Sequence, residues 1–272
     1  MTEIAKPGAE RKRVVLTGAS EGIGRALALA LAARGARLAL AARDRERLET
    51  LAQECRALGG EARALPTDVT NAQDCEWLVA ETVKAFGGID VVVHNAGITM
   101  WSRFDALQDL SILERIMEVN YLAPARLTAL ALPHLKQSKG LLVAVASLAG
   151  LTGVPERSGY AASKHAMVGF FDSLRIELRG SGVDVSVIAP DFVISEIHKR
   201  AIGPDGEPLG ASPMMQTKIM TAEDCAARIV RAIERRERLV LMSARGRFGR
   251  WLKLLAPSLV DRIAERAIRQ RH

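Results

Sequence analysis

Residues 17–24 read Thr17-Gly18-Ala19-Ser20-Glu21-Gly22-Ile23-Gly24, directly after the apolar run Val14-Val15-Leu16. The apolar run has the character of a buried strand, and the alanine- and leucine-rich stretch 24–34 has helical spacing. A glycine-rich turn between the two lets the backbone bend tightly at Gly18 and Gly22. Gly24 lets the helix lie close to the strand, and the free N–H groups at the helix start attract phosphate. The spacing is Gly-x-x-x-Gly-x-Gly, not the Gly-x-Gly-x-x-Gly of the dinucleotide fingerprint. Taken alone, the stretch would serve equally as a plain tight turn.

Working outward, short apolar runs recur at 13–17, 37–42, 62–65, 91–94, 141–146, 183–189 and 239–242. Between them lie stretches of helical period, such as 44–58 with Leu48, Leu51, Ala52 and Cys55 on one face. Seven strands alternating with helices predict an α/β fold, a doubly wound parallel sheet with helices on both faces. The one long irregular piece is 197–221, which contains Gly203-Pro204-Asp205-Gly206-Glu207-Pro208-Leu209-Gly210 and has the length of a lid. The expected organisation is one domain over 1–244 followed by a helical extension over 245–272.

Composition narrows the function. The chain has 272 residues, 49% of them hydrophobic and 4% aromatic, enough to bury one sizeable core but poor in stacking platforms for nucleic acid. No apolar run reaches the length of a membrane span, and the polar start lacks the apolar segment of a secretory signal. Cys55, Cys75 and Cys225 are far apart, which predicts no disulfide framework and no metal site. A cytoplasmic protein is expected. The net charge of +7 gathers in the tail, where Arg245, Arg247, Arg250, Lys253, Arg262, Arg266, Arg269 and Arg271 face only Asp261 and Glu265. Charge confined to a tail is weak support for a nucleic-acid partner, and none is expected.

In a nicotinamide-binding fold the second strand ends in an acid that holds the ribose of NAD or a base that pairs the 2′-phosphate of NADP. Here it ends Ala41-Ala42-Arg43, and Asp44 falls where a cap of the next helix belongs. NADP(H) is therefore expected in preference to NAD(H).

Further stretches follow in a fixed order: Asp68-Val69, Asn95-Ala96-Gly97, Asn120, Ser147 and Tyr160-Ala161-Ala162-Ser163-Lys164. With the turn at 17–24, they make the chain resemble the short-chain dehydrogenase/reductase family over residues 12 to 242. The resemblance implies a single Rossmann-type domain, an NADP(H)-dependent enzyme, and a homodimer or homotetramer joined through the helices around Asn120 and Tyr160. It implies cofactor contacts at Gly18, Ser20, Gly22, Ile23, Gly24, Arg43, Asp68, Val69, Asn95, Ala96 and Gly97, and again at Tyr160, Lys164, Pro190, Val193 and Ser195. The catalytic set it implies is Asn120, Ser147, Tyr160 and Lys164, with Lys164 also holding the nicotinamide ribose and Asn120 helping to support a relay water. The family usually has Gly where this chain has Asp191, which leaves the shape of that loop open.

The chemistry suits the spacing. Tyr160 and Lys164 lie four apart, hence on one helix face, and a lysine cation favours the phenolate. Tyr160 would then pass a proton to a carbonyl oxygen, or take one from an alcohol, while hydride moves to or from a nicotinamide. Ser147, at the carboxyl end of a strand, would hydrogen-bond the same oxygen. A Tyr–Lys pair alone is most often a surface pair; only the ordered set makes that explanation improbable. His94 and His165 are expected to be structural.

Substrate selection is expected from Trp101 and Met214, with Met100, Phe104, Ile197, Ile202, Leu209 and Met215 adding apolar walls suited to a lipophilic ketone or secondary alcohol. In the tail, Trp251, Leu254, Leu255, Leu259 and Ile263 recur at helical spacing among arginines, and Pro257 divides two helices. Such a pair suits packing on the domain or a partner subunit, or peripheral contact with a membrane. Two other functions stand beside the reductase: a sugar-nucleotide epimerase or dehydratase, and a catalytically idle NADP(H)-binding regulatory protein.

Overall fold

The computed structural model describes residues 11–194, 196–211 and 219–269. Its centre is a seven-stranded sheet, all parallel, made of β1 (Arg13–Thr17), β2 (Arg37–Ala42), β3 (Glu61–Pro66), β4 (Val91–His94), β5 (Leu141–Val145), β6 (Asp184–Ala189) and β7 (Leu239–Leu241). The order across the sheet is β3-β2-β1-β4-β5-β6-β7. Residues 141–145 are buried throughout, as a strand covered on both faces requires.

The helices are α1 (Gly22–Ala32), α2 (Arg45–Ala57), α3 (Ala72–Phe86), α4 (Ser111–Met117), α5 (Ala123–Ser138), α6 (Ser158–Glu177), α7 (Ala222–Arg235), α8 (Ala244–Leu255) and α9 (Pro257–Arg269). Their starts obey capping chemistry: Asp44 accepts from the Arg47 N–H, Asn71 from those of Gln73 and Asp74, and Thr221 from that of Asp224. On one face of the sheet Leu27, Leu48, Leu51 and Ile229 form the core; on the other Leu78, Leu127, Leu135, Met167 and Phe171 do. Each such side chain contributes about 1.5–3 kcal/mol by leaving water.

Two features place the site. The chain leaves β1 toward β2 and β3, then returns to β4 on the other side, so the loops after β1 and β4 diverge and open a crevice at their carboxyl ends. Between α4 and α5 the helix loosens into a π turn over Glu118–Leu122, which turns the Asn120 side chain inward. The described part of the long loop is less irregular than its sequence suggests: Ile202 pairs with Met100 and Val193 with Met220.

Candidate active site

The crevice continues into a cavity of about 1680 Å³. At its cofactor end Gly18 and Gly22 adopt left-handed φ values of 65° and 51°. A Cβ at Gly24 would stand 2.0 Å from the Gly18 carbonyl oxygen, and one at Gly18 would stand 2.8 Å from Ala96 Cα. The turn is thus pressed against the loop after β4. Asn95 Nδ2 donates to the Thr17 and Gly18 carbonyls (3.1 and 3.0 Å), and the N–H groups of Asn95 and Ala96 donate to Thr17 Oγ1. Glu21 precedes α1 without capping it, so the first-turn N–H groups remain open to an anion.

Ser20, Ile23, Arg43, Asp68 and Val69 line the same end. Burial alone would raise the Asp68 carboxyl; the hydrogen bonds from the Thr70 N–H and hydroxyl, with nearby Arg43, outweigh it and hold it below its ordinary value. Asp44 is the cap of α2 that the sequence suggests. The glycine cradle, the open helix start and the exposed Arg43 fit a dinucleotide phosphate.

At the reacting end Ser147 closes β5, and its Oγ accepts from the Ala149 N–H at 3.1 Å, leaving its O–H to donate. Tyr160 sits in the first turn of α6 with its ring toward the cavity, 7% exposed. Lys164, one turn on, is buried; its Nζ donates to the Val145 carbonyl at 3.0 Å and lies 5.9 Å from the centre of the Tyr160 ring. Burial lowers the Lys164 pKa, with the charge of Arg157 adding and Tyr160 opposing. Asn120 Nδ2 donates to the Ile98 carbonyl and to Ser163 Oγ, both at 2.9 Å, while its Oδ1 accepts from the Ile98 N–H. Its amide therefore ties the loop after β4 to α6, since Ser163 in turn donates to the Tyr160 carbonyl.

The sequence profile of the short chain dehydrogenase family matches residues 12–203. The chain belongs to that family. An 11-beta-hydroxysteroid dehydrogenase-like 4A of Arabidopsis thaliana is 38% identical over 253 residues, covering 92% of this chain and 82% of that one. A Dehydrogenase/reductase SDR family protein 7-like of Dictyostelium discoideum is 33% identical, covering 93% and 80%. Among solved structures, an alcohol dehydrogenase of Thermococcus sibiricus complexed with 5-hydroxy-NADP is 30% identical with a TM-score of 0.70, covering 81% of this chain and 89% of that one. A short chain dehydrogenase/reductase of Burkholderia phymatum in complex with NAD is 26% identical with a TM-score of 0.81, covering 93% and 96%. The family identity makes the chain an oxidoreductase with an NAD(P) cofactor, acting on alcohol or carbonyl groups of small molecules.

In this short chain dehydrogenase the sequence missed a residue that the site is built around. Arg157 is 5% exposed; its guanidinium lies 4.3 Å from the Tyr160 ring centre, 5.3 Å from that of Trp101 and 6.0 Å from that of Phe192. Its Nη2 donates to Thr99 Oγ1 at 2.6 Å. Its position three residues before Tyr160, at the start of a helix, was the available signal. His198 is also new: it packs beside Trp101 and Phe192, and burial, with the charge of Arg157, pushes its imidazole down to about 4. Arg47 and, from the long loop, Arg200 both donate to Glu21 Oε2, linking the glycine-rich turn to the substrate side of the cavity. No local pattern announces that link.

Other expectations change. Met100 is fully buried among Ile112, Ile116 and Tyr160 and packs the core instead of walling the cavity, while Phe104 is 60% exposed and points away from it. Trp101, Ile197 and Ile202 do line the cavity, and the Trp101 indole donates to Glu156. Met214, Met215 and Ser195 lie outside the described residues. Asp191 keeps an ordinary negative φ; it accepts from the Phe192 N–H and from Ser243 Oγ, the cap of α8. The loop at Pro190–Val193 is thereby tied to the tail. His94 is buried against Thr128 and Phe171, and His165 hydrogen-bonds its own helix.

Proposed function

We propose that this protein is an NADP(H)-dependent oxidoreductase that interconverts a lipophilic ketone and the corresponding secondary alcohol. The observation that carries this reading is the convergence of Ser147, Tyr160 and Lys164 on the cavity that also holds the glycine-rich turn. The relatives named as hydroxysteroid dehydrogenase-like proteins and the apolar lining from Trp101, Ile197 and Ile202 support a bulky, lipophilic substrate.

When bound, the nicotinamide supplies the hydride or accepts it. In reduction, Ser147 donates a hydrogen bond to the substrate carbonyl oxygen, keeping its own proton, and steadies the charge that develops there. Tyr160 gives its phenolic proton to that oxygen, so the carbonyl gains one hydride at carbon and one proton at oxygen. Lys164 stabilises the phenolate left behind, and its lowered pKa makes its own proton available to restore Tyr160. Asn120 holds Ile98 and Ser163, and through them the geometry of α6. Gly18, Gly22 and Gly24 would seat the pyrophosphate at the start of α1, with Asp68 and Val69 at the adenine and Asn95, Ala96 and Gly97 along the ribose; Pro190 and Val193 would meet the nicotinamide.

Arg43 supports NADP(H) over NAD(H), because a guanidinium at the end of β2 can pair a 2′-phosphate. Ile176, a large apolar side chain exposed on α6, supports a homodimer or homotetramer joined through that helix. The test is a spectrophotometric screen of NADPH and NADH oxidation over apolar ketones, with Tyr160→Phe beside the wild type. Turnover with NADPH that the variant abolishes is expected. Tight NADPH binding without turnover over a broad panel would favour the idle regulatory protein instead.

A further inference from the structure

The helices α8 and α9 turn large apolar side chains to the outside. Phe248, Trp251, Leu254 and Leu255 of α8 are 68%, 66%, 69% and 81% exposed, and Leu259 and Ile263 of α9 are 44% and 52% exposed. A soluble surface seldom gathers so many large apolar groups on one helical pair without a partner. Arg247, Arg250, Arg262 and Arg266 are exposed among them. The same two helices form one rim of the cavity through Phe248, Arg250, Leu252, Val260 and Ile263. They are also anchored to the site: Lys253 Nζ donates to the Leu151 carbonyl, and Ser243 donates to Asp191.

Three occupants could cover this face. The described residues of the protein's own body do not, since the side chains remain exposed. A second copy would bring together two faces that each carry many more cations than anions, Asp261 and Glu265 being the only acidic residues in 245–272, and that excess of like charge opposes association. An anionic lipid surface satisfies both halves of the face. Trp, Phe and Leu enter the boundary between headgroups and acyl chains, and Arg stays at the anionic headgroups, each basic residue contributing attraction near the surface.

We propose that α8 and α9 dock the protein on an anionic bilayer, with the cavity rim turned toward the lipid. Docking in this orientation gives a lipophilic substrate a path from the bilayer to Tyr160 without crossing water; that consequence rests on the function proposed above, whereas the docking itself does not.

The test is flotation of the full chain with vesicles of phosphatidylcholine containing phosphatidylglycerol, and with vesicles of phosphatidylcholine alone, without cofactor or substrate. Binding to the anionic vesicles is expected to exceed binding to the neutral ones by about tenfold or more and to weaken with salt. Trp251→Glu and, separately, Leu255→Glu are expected to lower it by about tenfold or more. Circular dichroism melting verifies that each variant is folded, and sedimentation reads its mass. Absence of binding to the anionic vesicles overturns the proposal, as does binding that folded variants leave unchanged. A variant that dissociates an oligomer overturns it too, because the face would then be a subunit interface. Since neither arm reads turnover, failure here is separable from failure of the proposed enzymatic activity.

Discussion

Arg157 lays its guanidinium 4.3 Å from the centre of the Tyr160 ring and so gives the phenol a second cation besides Lys164. The two differ in kind. Lys164 is buried with a lowered pKa and can release its proton, whereas a guanidinium remains charged under all working conditions. A buried cation against an aromatic face is worth roughly 0.5–2 kcal/mol, and that interaction holds the ring while Thr99 holds the guanidinium. Arg157→Met is therefore expected to lower kcat on the order of tenfold while leaving the NADPH dissociation constant unchanged. Arg157→Lys should fall between the two, because an ammonium keeps the charge but not the flat stacking. Equal kcat in all three proteins would show that the contact only fills space.

The proposed preference for NADP(H) rests on Arg43. Charge-assisted hydrogen bonds from it to a 2′-phosphate would each be worth about 1.5–3 kcal/mol, and NAD(H) has no group to receive them. Arg43→Leu is expected to weaken NADPH binding by roughly ten- to a hundredfold and to leave NADH binding nearly unchanged. Fluorescence titration of both nucleotides against both proteins measures this directly. If Arg43→Leu weakens the two alike, Arg43 serves the general cleft and not the 2′-phosphate.

The turn at 17–24 makes a prediction about stability as well as binding. A Cβ at Gly24 would come within 2.0 Å of the Gly18 backbone oxygen, and the backbone cannot yield as a flexible side chain can. Gly24→Ala is expected to cost about 3 kcal/mol, the upper range for overpacking, and to lower Tm by roughly 6–12 °C. Gly35→Ala supplies the contrast: nothing lies within 4 Å of its Cβ, although its φ of 76° still strains an alanine. Differential scanning calorimetry of the two variants separates crowding from backbone strain.

The central strands were legible because parallel strands covered on both faces are continuous apolar runs, while edge strand β3 (Glu61–Pro66), with Glu61 and Arg63 exposed, was legible from the apolar Ala62, Ala64 and Leu65 beside them. The nucleotide turn, Ser147, Tyr160 and Lys164 were legible because their spacing is local to one turn, one strand end or one helix face. Arg157 shares that locality and was missed for a different reason: an arginine ahead of a helix is an ordinary surface residue unless Trp101 and Phe192 arrive from distant loops to bury it. The Arg200–Glu21 link and the Ser243–Asp191 bond join residues far apart in sequence, so only the folded chain shows them. Met100 and Phe104 show the same limit from the other side. Their apolar character was plain, but which of them faced core, cavity or solvent depended on how Ile202 pairs with Met100.

Stability toward acid should follow the two buried imidazoles. Burial pushes His94 down to about 3, and burial with the charge of Arg157 pushes His198 down to about 4, against ~6.5 for a free histidine. In both cases the folded value is depressed. Above pH ~6.5 both states are neutral and no dependence arises; below it the unfolded chain binds protons that the native state refuses, so stability declines as pH falls. The decline from His94 continues to about 3, where the native imidazole also protonates. By pH ~5 it amounts to about 2 kcal/mol. His94→Gln keeps a partner for Thr128 and removes the titration. Urea unfolding followed at pH ~7 and pH ~5 should therefore show a smaller loss of stability in His94→Gln than in the wild type. Equal losses would place the acid sensitivity with His198 or with the carboxylates, among which Asp90, bound by Arg13, is the first to examine by the same measurement.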